Sequence, residues 1–223
     1  MRRGSTVLNL CFHGIGVPGR RPLEPGEDSF WVGADAFEEM LDVVARSPWV
    51  RITFDDGNAS DAQIALPALL RRGLRASFFV IAGRCDEPGS LSRADVRELA
   101  QGGMTVGSHG MRHRNWRRLD EEGIREEFVD APRLLGDAAG EPVREASFPF
   151  GDYDRRAIAT LRRHGFSRVY TIDGRPARPD AWLQHRYIVR SDDTPERIAG
   201  LARDPRQATD ILRSLKRATK RWR

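Results

Sequence analysis

The chain has 223 residues, of which 39% are hydrophobic and 31% are charged. This length suits one domain and this composition can bury a core, so a disordered or collagen-like chain is excluded. Lysine and arginine number 37 against 32 aspartate and glutamate, a net charge of +5. Because most of the basic residues are scattered among acids, no specific nucleic-acid partner is expected. No apolar run approaches the roughly 18 residues of a membrane-spanning helix.

Strand-like and helix-like segments alternate along the chain, which is typical of a parallel sheet wrapped by helices. Strands are predicted at residues 7–12, 50–54, 76–82, 104–107, 145–148, 168–172 and 187–189. Helices are predicted at residues 34–46, 59–72, 92–101, 120–135 and 153–164. In the second helix, the side chains expected to face the core are those of Ile64, Leu66, Leu69 and Leu70.

The first apolar segment is short. It is interrupted by Asn9 and followed by His13 and Gly14, which indicates a strand rather than a signal peptide. Cys11 and Cys85 lie too far apart in sequence to form a local metal-ligand pair, and both are expected to be buried thiols. These features predict a cytoplasmic protein.

A basic segment ends the chain. Residues 1–202 are predicted to form the catalytic domain, and residues 203–223 to form a basic terminal helix or tail in which Ile211, Leu215, Ala218 and Trp222 share one helical face. That face is expected to pack on the domain. The alternative is a weak contact of the tail with an anionic membrane surface.

Two adjacent carboxylates, Asp55 and Asp56, follow the second strand directly. Reactive side chains collect at the carboxyl ends of strands in parallel α/β proteins. Neighbours in an extended chain point to opposite sides, so the two carboxylates have different roles unless a turn at Gly57 brings both into one pocket. The alternative is that one aspartate caps the helix that follows.

Two histidines follow the fourth strand. His109 and His113 are four residues apart, a spacing that puts two imidazoles on one side of a helical turn, within reach of a single metal ion. With an aspartate from another strand end, the ligand set suits one divalent ion, with zinc first and cobalt, nickel or iron as alternatives.

A third segment follows the fifth strand, at residues 147–153. Pro149 and Gly151 indicate a tight turn there, and the backbone amide of Phe150 is a candidate donor into the pocket. Taken alone, the segment is equally typical of an ordinary strand-to-helix turn.

The order of these segments resembles the polysaccharide deacetylases of the NodB-homology group, also called carbohydrate esterase family 4. Thr53 to Gly57 is similar to the family motif T-F-D-D-G, Ser108 to His113 to S-H-x-x-x-H, and Phe148 to Gly151 to the F-P-Y-G type of third motif. Residues 10–14 and 75–80 resemble two flanking strands of the family. The resemblance covers about residues 7–198 and implies a distorted seven-stranded (β/α) barrel.

The resemblance also implies roles for the site residues. Asp56, His109 and His113 would be the metal ligands, Asp55 the general base for a metal-activated water, and the Phe150 backbone amide an oxyanion donor. These roles fit general chemistry, since a bound cation polarises a carbonyl while a free carboxylate takes a proton from water.

Two departures from the family pattern are visible. The position of the arginine that orients the base in many members holds Ser147, as in a subgroup that lacks this arginine. The late histidine that serves as general acid has no match. His185, just before the last predicted strand, is the first candidate for the acid and His13, after the first strand, is the second. Asp173 is a candidate partner for either, or an ordinary turn residue.

The function predicted from this resemblance is metal-dependent hydrolysis of N-acetyl groups from an amino sugar or glycan, with a carbohydrate or glycoside as substrate. One alternative is a catalytically silent module that binds metal and carbohydrate. The missing arginine and the missing acid histidine favour it. Another is a deformylase or amidase that acts on a lipid-linked or small-molecule sugar.

Overall fold

Seven parallel strands form a closed barrel in this computed structural model, which describes residues 6–18 and 23–204. Each strand pairs with its successor, and β1 also pairs with β7, which closes the ring. The strands are β1 (Leu8–Phe12), β2 (Val50–Asp56), β3 (Ala76–Val80), β4 (Thr105–Ser108), β5 (Glu145–Ser147), β6 (Arg168–Thr171) and β7 (Leu183–Ile188). The predicted seven-stranded (β/α) barrel is therefore confirmed.

Helices lie between successive strands from β1 to β6, and one more follows β7. They are α1 (Ala34–Ala45), α2 (Leu66–Arg71), α3 (Arg93–Gln101), α4 (Glu121–Arg125), α5 (Ala131–Ala139), α6 (Arg155–Arg163) and α7 (Pro195–Arg203). A π-helical turn, Asp61–Ala65, precedes α2, and another, Glu126–Asp130, joins α4 to α5. The local sequence explains where two of these helices begin. Ser92 and Asp95 form a reciprocal capping box at α3, and Asp154 caps α6.

An aromatic layer between the barrel and the helices sets the orientation of the strands. Phe54 stacks on Phe12 and on Phe78, with ring centroids 5.6 and 4.5 Å apart, and all three rings are fully buried. Because side chains alternate along a strand, placing Phe54 on the outer face turns its neighbours Thr53 and Asp55 to the inside of the barrel. The packing of one phenylalanine thus fixes the direction of a site carboxylate.

The structure corrects several expectations. β2 runs two residues further than predicted and includes both aspartates, and β7 begins at Leu183 rather than Tyr187. Leu70 was expected in the core, but it is 45% exposed because the π-helical turn changes the helical phase before α2. Cys85 was expected to be buried and is half-buried, whereas Cys11 is fully buried, and both are free thiols.

The predicted basic segment, residues 203–223, lies outside the described residues from residue 205 onward. Within the described ranges, no helix is both long and apolar enough to cross a membrane.

Candidate active site

The three predicted segments meet at the carboxyl ends of the strands, at one cavity of about 260 Å³. Asp55 and Asp56 reach it from β2, and His109 and His113 from the loop after β4. Asp56 and Gly57 have φ angles of 77° and 75°, a left-handed turn that brings both aspartates to the same cavity. A Cβ on residue 57 would come within 2.8 Å of the Val80 side chain, so this turn requires a glycine.

Asp56 and the two histidines form a cluster with the composition of a metal site. Oδ1 of Asp56 lies 3.6 Å from Nε2 of His109 and 3.6 Å from Nε2 of His113. This oxygen is buried and has no hydrogen-bond partner among the described residues. Ligands of a tetrahedral zinc ion are about 3.3 Å apart. The residues therefore fit a divalent cation, which would satisfy the buried oxygen.

His109 presents one defined nitrogen to the cluster. Its Nδ1 lies 2.9 Å from the carbonyl oxygen of Ser147. Since a carbonyl only accepts, Nδ1 carries the proton, and the lone pair of Nε2 faces Asp56. Burial lowers the pKa of His109 to about 4, so the ring is neutral and ready to bind a cation at neutral pH.

The segment that carries the histidines is a loop, which corrects the expectation of a helical turn. Gly110 and His113 have φ angles of 82° and 52°, which no helix allows. The buried carboxylate of Glu127 holds the loop by accepting hydrogen bonds from the Met111 amide and from the indole of Trp116. The rings of the two histidines nevertheless lie 5.1 Å apart, because the left-handed residues fold the loop back toward β2.

Asp55 forms a buried, bidentate ion pair with Arg186 of β7. Nη1 and Nη2 of the guanidinium lie 2.6 and 2.7 Å from Oδ1 and Oδ2 of the carboxylate. Nη2 also donates to Oγ of Ser147, which in turn lies 3.1 Å from Oδ2. Burial alone would raise the pKa of Asp55, but the charge of Arg186 and the hydrogen bonds that it donates outweigh burial and hold the pKa well below its usual range. Asp55 is therefore ionised and held in place.

Cys11, His13 and Asp55 form a second group of candidate ligands. One ligand atom from each residue lies within 4.8 Å of the others. The group suits a cation poorly, because the guanidinium of Arg186 already binds both oxygens of Asp55. Burial also raises the pKa of the Cys11 thiol well above its usual value, so this sulfur stays protonated.

Comparison with known proteins gives the family. The sequence model of the polysaccharide deacetylases matches residues 43–169, more than half of the chain. The chain belongs to the polysaccharide deacetylase family. A curated protein of Bacillus subtilis (strain 168), YxkH, is named for the same family. It is 26% identical over 141 residues, which are 63% of this chain and about half of the length of YxkH.

Solved structures of similar fold include PplD and IcaB. The deacetylase PplD of Streptococcus pyogenes, solved in complex with acetate, has a TM-score of 0.76 at 19% identity, over 88% of this chain and 98% of that one. IcaB of Ammonifex degensii has a TM-score of 0.73 at 24% identity, over 89% and 97% of the two chains. At these identities the likeness shows the shared barrel fold.

The arginine that the chain lacks at position 147 is replaced in space by Arg186. The residue comes from β7 and is fully buried. Its place on a strand was not predicted from the sequence, because β7 was predicted to begin at residue 187. The signal was the alternation of Gln184, Arg186 and Ile188, which places a charged residue on the inner face of a barrel strand next to Ser147.

The two candidate acid histidines occupy different sides of the barrel. His13 lines the cavity beside Asp55 and Asp56, and its buried Nδ1 has no partner among the described residues. His185 is not among the described residues that line the cavity. Its Nδ1 lies 2.9 Å from the carboxylate of Asp173, which was a candidate partner for either histidine. Since Arg186 points inward, its neighbour in the strand points outward.

Phe150 lies at the rim of the cavity. Its ring is 54% exposed and packs 4.4 Å from the ring of His113. Its φ angle of 59° is unusual for a residue with a side chain. Asp56, His113 and Phe150 all have positive φ, and strained residues of this kind cluster at functional sites.

Proposed function

We propose that this protein is a metal-dependent carbohydrate deacetylase that hydrolyses the N-acetyl group of an amino sugar or glycan. The observation that carries the proposal is the buried, unpartnered Oδ1 of Asp56, which faces Nε2 of both histidines beside an ionised Asp55. This arrangement places an ionised carboxylate beside a cation site without making it one of the three candidate ligands, and hydrolysis of an amide by water uses both a cation and a base.

Asp56, His109 and His113 would hold one divalent cation. Two imidazoles and one carboxylate suit zinc first, with cobalt, nickel or iron as alternatives. When bound, such a cation supplies Lewis-acid polarisation of the acetamide carbonyl and a lowered pKa of water.

Asp55 would accept the proton of the attacking water. Its carboxylate accepts two bonds from Arg186 and one from Ser147, which leaves about one acceptor position, on Oδ1, because two oxygens offer about four in all. Arg186 lowers the proton affinity of Asp55, so its benefit to the reaction is to orient the base and keep it ionised.

His13 would donate a proton to the leaving amine, and the backbone amide of Phe150 would donate to the oxyanion. His13 is favoured over His185 because it lines the same cavity as Asp55, whereas His185 faces Asp173. Its ring stacks on Phe30 at 5.1 Å, a contact that fixes it at the cavity wall.

The size of the cavity favours a small reacting group. Its volume of about 260 Å³ lies below the roughly 300–1,000 Å³ of typical small-molecule pockets, which suits the N-acetyl end of one amino sugar. The alternative of a catalytically silent carbohydrate-binding module loses one of its two arguments, because Arg186 provides the cation beside Asp55 that residue 147 does not.

The proposal is tested by measuring acetate released from N-acetylglucosamine oligomers, by the protein stripped with a chelator and then reloaded with zinc, cobalt or nickel. Acetate release that depends on reloading and is abolished in His109→Ala supports the proposal. Formate release from N-formyl sugars without acetate release would favour the deformylase alternative. Equal activity of stripped and reloaded protein would overturn metal dependence.

The cytoplasmic location, the lack of a specific nucleic-acid partner and the weak membrane contact of the basic segment stay predictions from the sequence. Binding to anionic vesicles at low salt that is lost at high salt would support the membrane contact.

A further inference from the structure

Glu24, in the connection between β1 and α1, lies on the side of the His113 ring that faces away from Asp56. Its Oε1 is 3.3 Å from Nδ1 of the His113 ring, while Nε2 of the same ring lies 3.6 Å from Oδ1 of Asp56. One ring nitrogen therefore faces the predicted cation position and the other faces a carboxylate.

Arg84 anchors this carboxylate. Its guanidinium donates to the same Oε1, and it belongs to the 3₁₀ turn Ala82–Arg84 that follows β3. Glu24 is also tied to its own segment, because its backbone amide donates to Glu27 at 2.8 Å. The position of Glu24 is thus set from two directions that are independent of His113.

His109 and His113 differ in the group that faces Nδ1, the ring nitrogen directed away from the predicted cation position. Nδ1 of His109 faces a neutral acceptor, the Ser147 carbonyl, inside the barrel. Nδ1 of His113 faces the anionic Glu24 at the wall of the cavity. Both partners select the tautomer that carries its proton on Nδ1, but only the carboxylate adds negative charge behind the ring.

We propose that Glu24 is a positioning residue for the cation site: it holds His113 with the proton on Nδ1 and the Nε2 lone pair toward the cation, and it strengthens His113 as a ligand. Carboxylates that hydrogen-bond to metal-binding histidines orient the ring and raise its basicity. The inference rests on the proposed function, since it assumes that Asp56, His109 and His113 bind a cation.

Two other roles for Glu24 predict different outcomes. Glu24 lines the cavity, so it could instead bind sugar hydroxyls, in which case its loss would raise KM and leave metal affinity unchanged. It could also be a fourth ligand, but it lies on the Nδ1 side of the His113 ring, whereas the candidate ligand atoms gather on the Nε2 side.

The experiment measures cobalt and zinc affinity by competition with a chelator in the full chain, for Glu24→Gln, Glu24→Ala and His113→Ala. The matched control is Glu38→Gln, since Glu38 is a similarly exposed, arginine-paired glutamate on α1. We expect metal affinity to fall about 10- to 100-fold in Glu24→Ala, less in Glu24→Gln, and to stay unchanged in Glu38→Gln. ¹⁵N NMR of the histidines should show a loss of the Nδ1-protonated form of His113 in Glu24→Ala.

The outcomes separate the inference from the function on which it rests. If His113→Ala binds metal as tightly as the unmodified protein, the proposed cation site fails. If His113→Ala loses metal while both Glu24 variants bind it normally and keep the His113 tautomer, the inference alone is overturned. A rise in KM at unchanged metal affinity would also overturn it and assign Glu24 to the substrate.

Discussion

Arg186 binds both carboxylate oxygens of Asp55 across the inside of the barrel, although the two residues are 131 positions apart in the chain. Both side chains are buried, with exposed fractions of 0% and 3%. Breaking such a pair leaves an uncompensated charge in a medium that solvates it poorly. The pair therefore couples the stability of the barrel to the ionisation of the candidate base.

Replacing Arg186 by methionine should destabilise the protein by about 3–5 kcal/mol at neutral pH. The loss should shrink as pH falls through the usual range of a carboxyl group. The unpaired Asp55 of the variant is then protonated, whereas in the unmodified protein the ion pair persists and contributes less only because the unfolded chain takes up a proton. Denaturant unfolding of metal-free protein at several pH values measures this. Arg186→Lys should lose less, and Ser147→Ala only about 1 kcal/mol.

The same variants test the role of Arg186 in the reaction. Without the guanidinium the pKa of Asp55 rises, so the acid limb of the pH-activity profile should move to higher pH in Arg186→Lys and further in Arg186→Met. An unmoved acid limb in both variants would separate Arg186 from the base.

Asp55→Asn should retain bound metal and lose turnover by about 10²- to 10⁴-fold, because an amide cannot accept the proton of water. Metal content per chain and acetate release are measured on the same sample. Asp56→Asn is the matched control, in which both turnover and metal content should fall. Undiminished turnover of Asp55→Asn would remove its assignment as the base.

His109 should make the metal-free protein less stable in mild acid. Burial lowers its pKa from 6.5 to about 4, so below pH 6.5 the unfolded chain binds one more proton than the folded chain. On this account the free energy of unfolding should fall by about 3 kcal/mol between pH 6.5 and 4. His109→Gln should lack this component when its unfolding curves are compared with those of the unmodified protein. Equal pH dependence in the two proteins would contradict a neutral His109.

Loss of the general acid should flatten the alkaline limb of the pH-activity profile. We expect this in His13→Ala and not in His185→Ala, because only His13 lines the cavity that contains Asp55. Profiles of both variants are recorded at saturating metal. A flattened limb in His185→Ala alone would reverse the assignment.

Asp61 should be replaceable by asparagine with a gain in stability. Its carboxyl group is fully buried, and its pKa is raised well above the usual value by burial and by the nearby charges of Asp56 and Asp55. Above the pKa of the unfolded chain, folding must take up a proton, so the unmodified protein is penalised increasingly as pH rises. Asp61→Asn should be more stable by upward of about 1 kcal/mol at pH 8 and about equal at pH 4. Equal stability at both pH values would contradict a protonated Asp61.

Asp56, His109 and His113 could be predicted as neighbours from the sequence. The alternation of strands and helices predicts a parallel barrel, and a parallel barrel brings the carboxyl ends of its strands to one edge. Residues directly after β2 and β4 must then lie near each other. The local backbone was less predictable: the four-residue spacing of the histidines suggested a helical turn, whereas Gly110 and His113 take left-handed angles and Glu127 holds a loop.

Arg186 and the choice between His13 and His185 could not be obtained in the same way. Residues 183–186 are largely polar and so carry no apolar signal of a strand, although Gln184 and Arg186 are fully buried inside the barrel. Closure of β7 onto β1 turns Arg186 toward Asp55, and the alternation of side chains then turns His185 away.

The sequence by itself determined the barrel and the cluster of Asp56 with two histidines, because local motifs and strand order suffice for them. Only the tertiary structure decided which cation faces Asp55 and which histidine faces the cavity. Both depend on the register of β7, which is set by its pairing with β6 and with the distant β1 near the start of the chain.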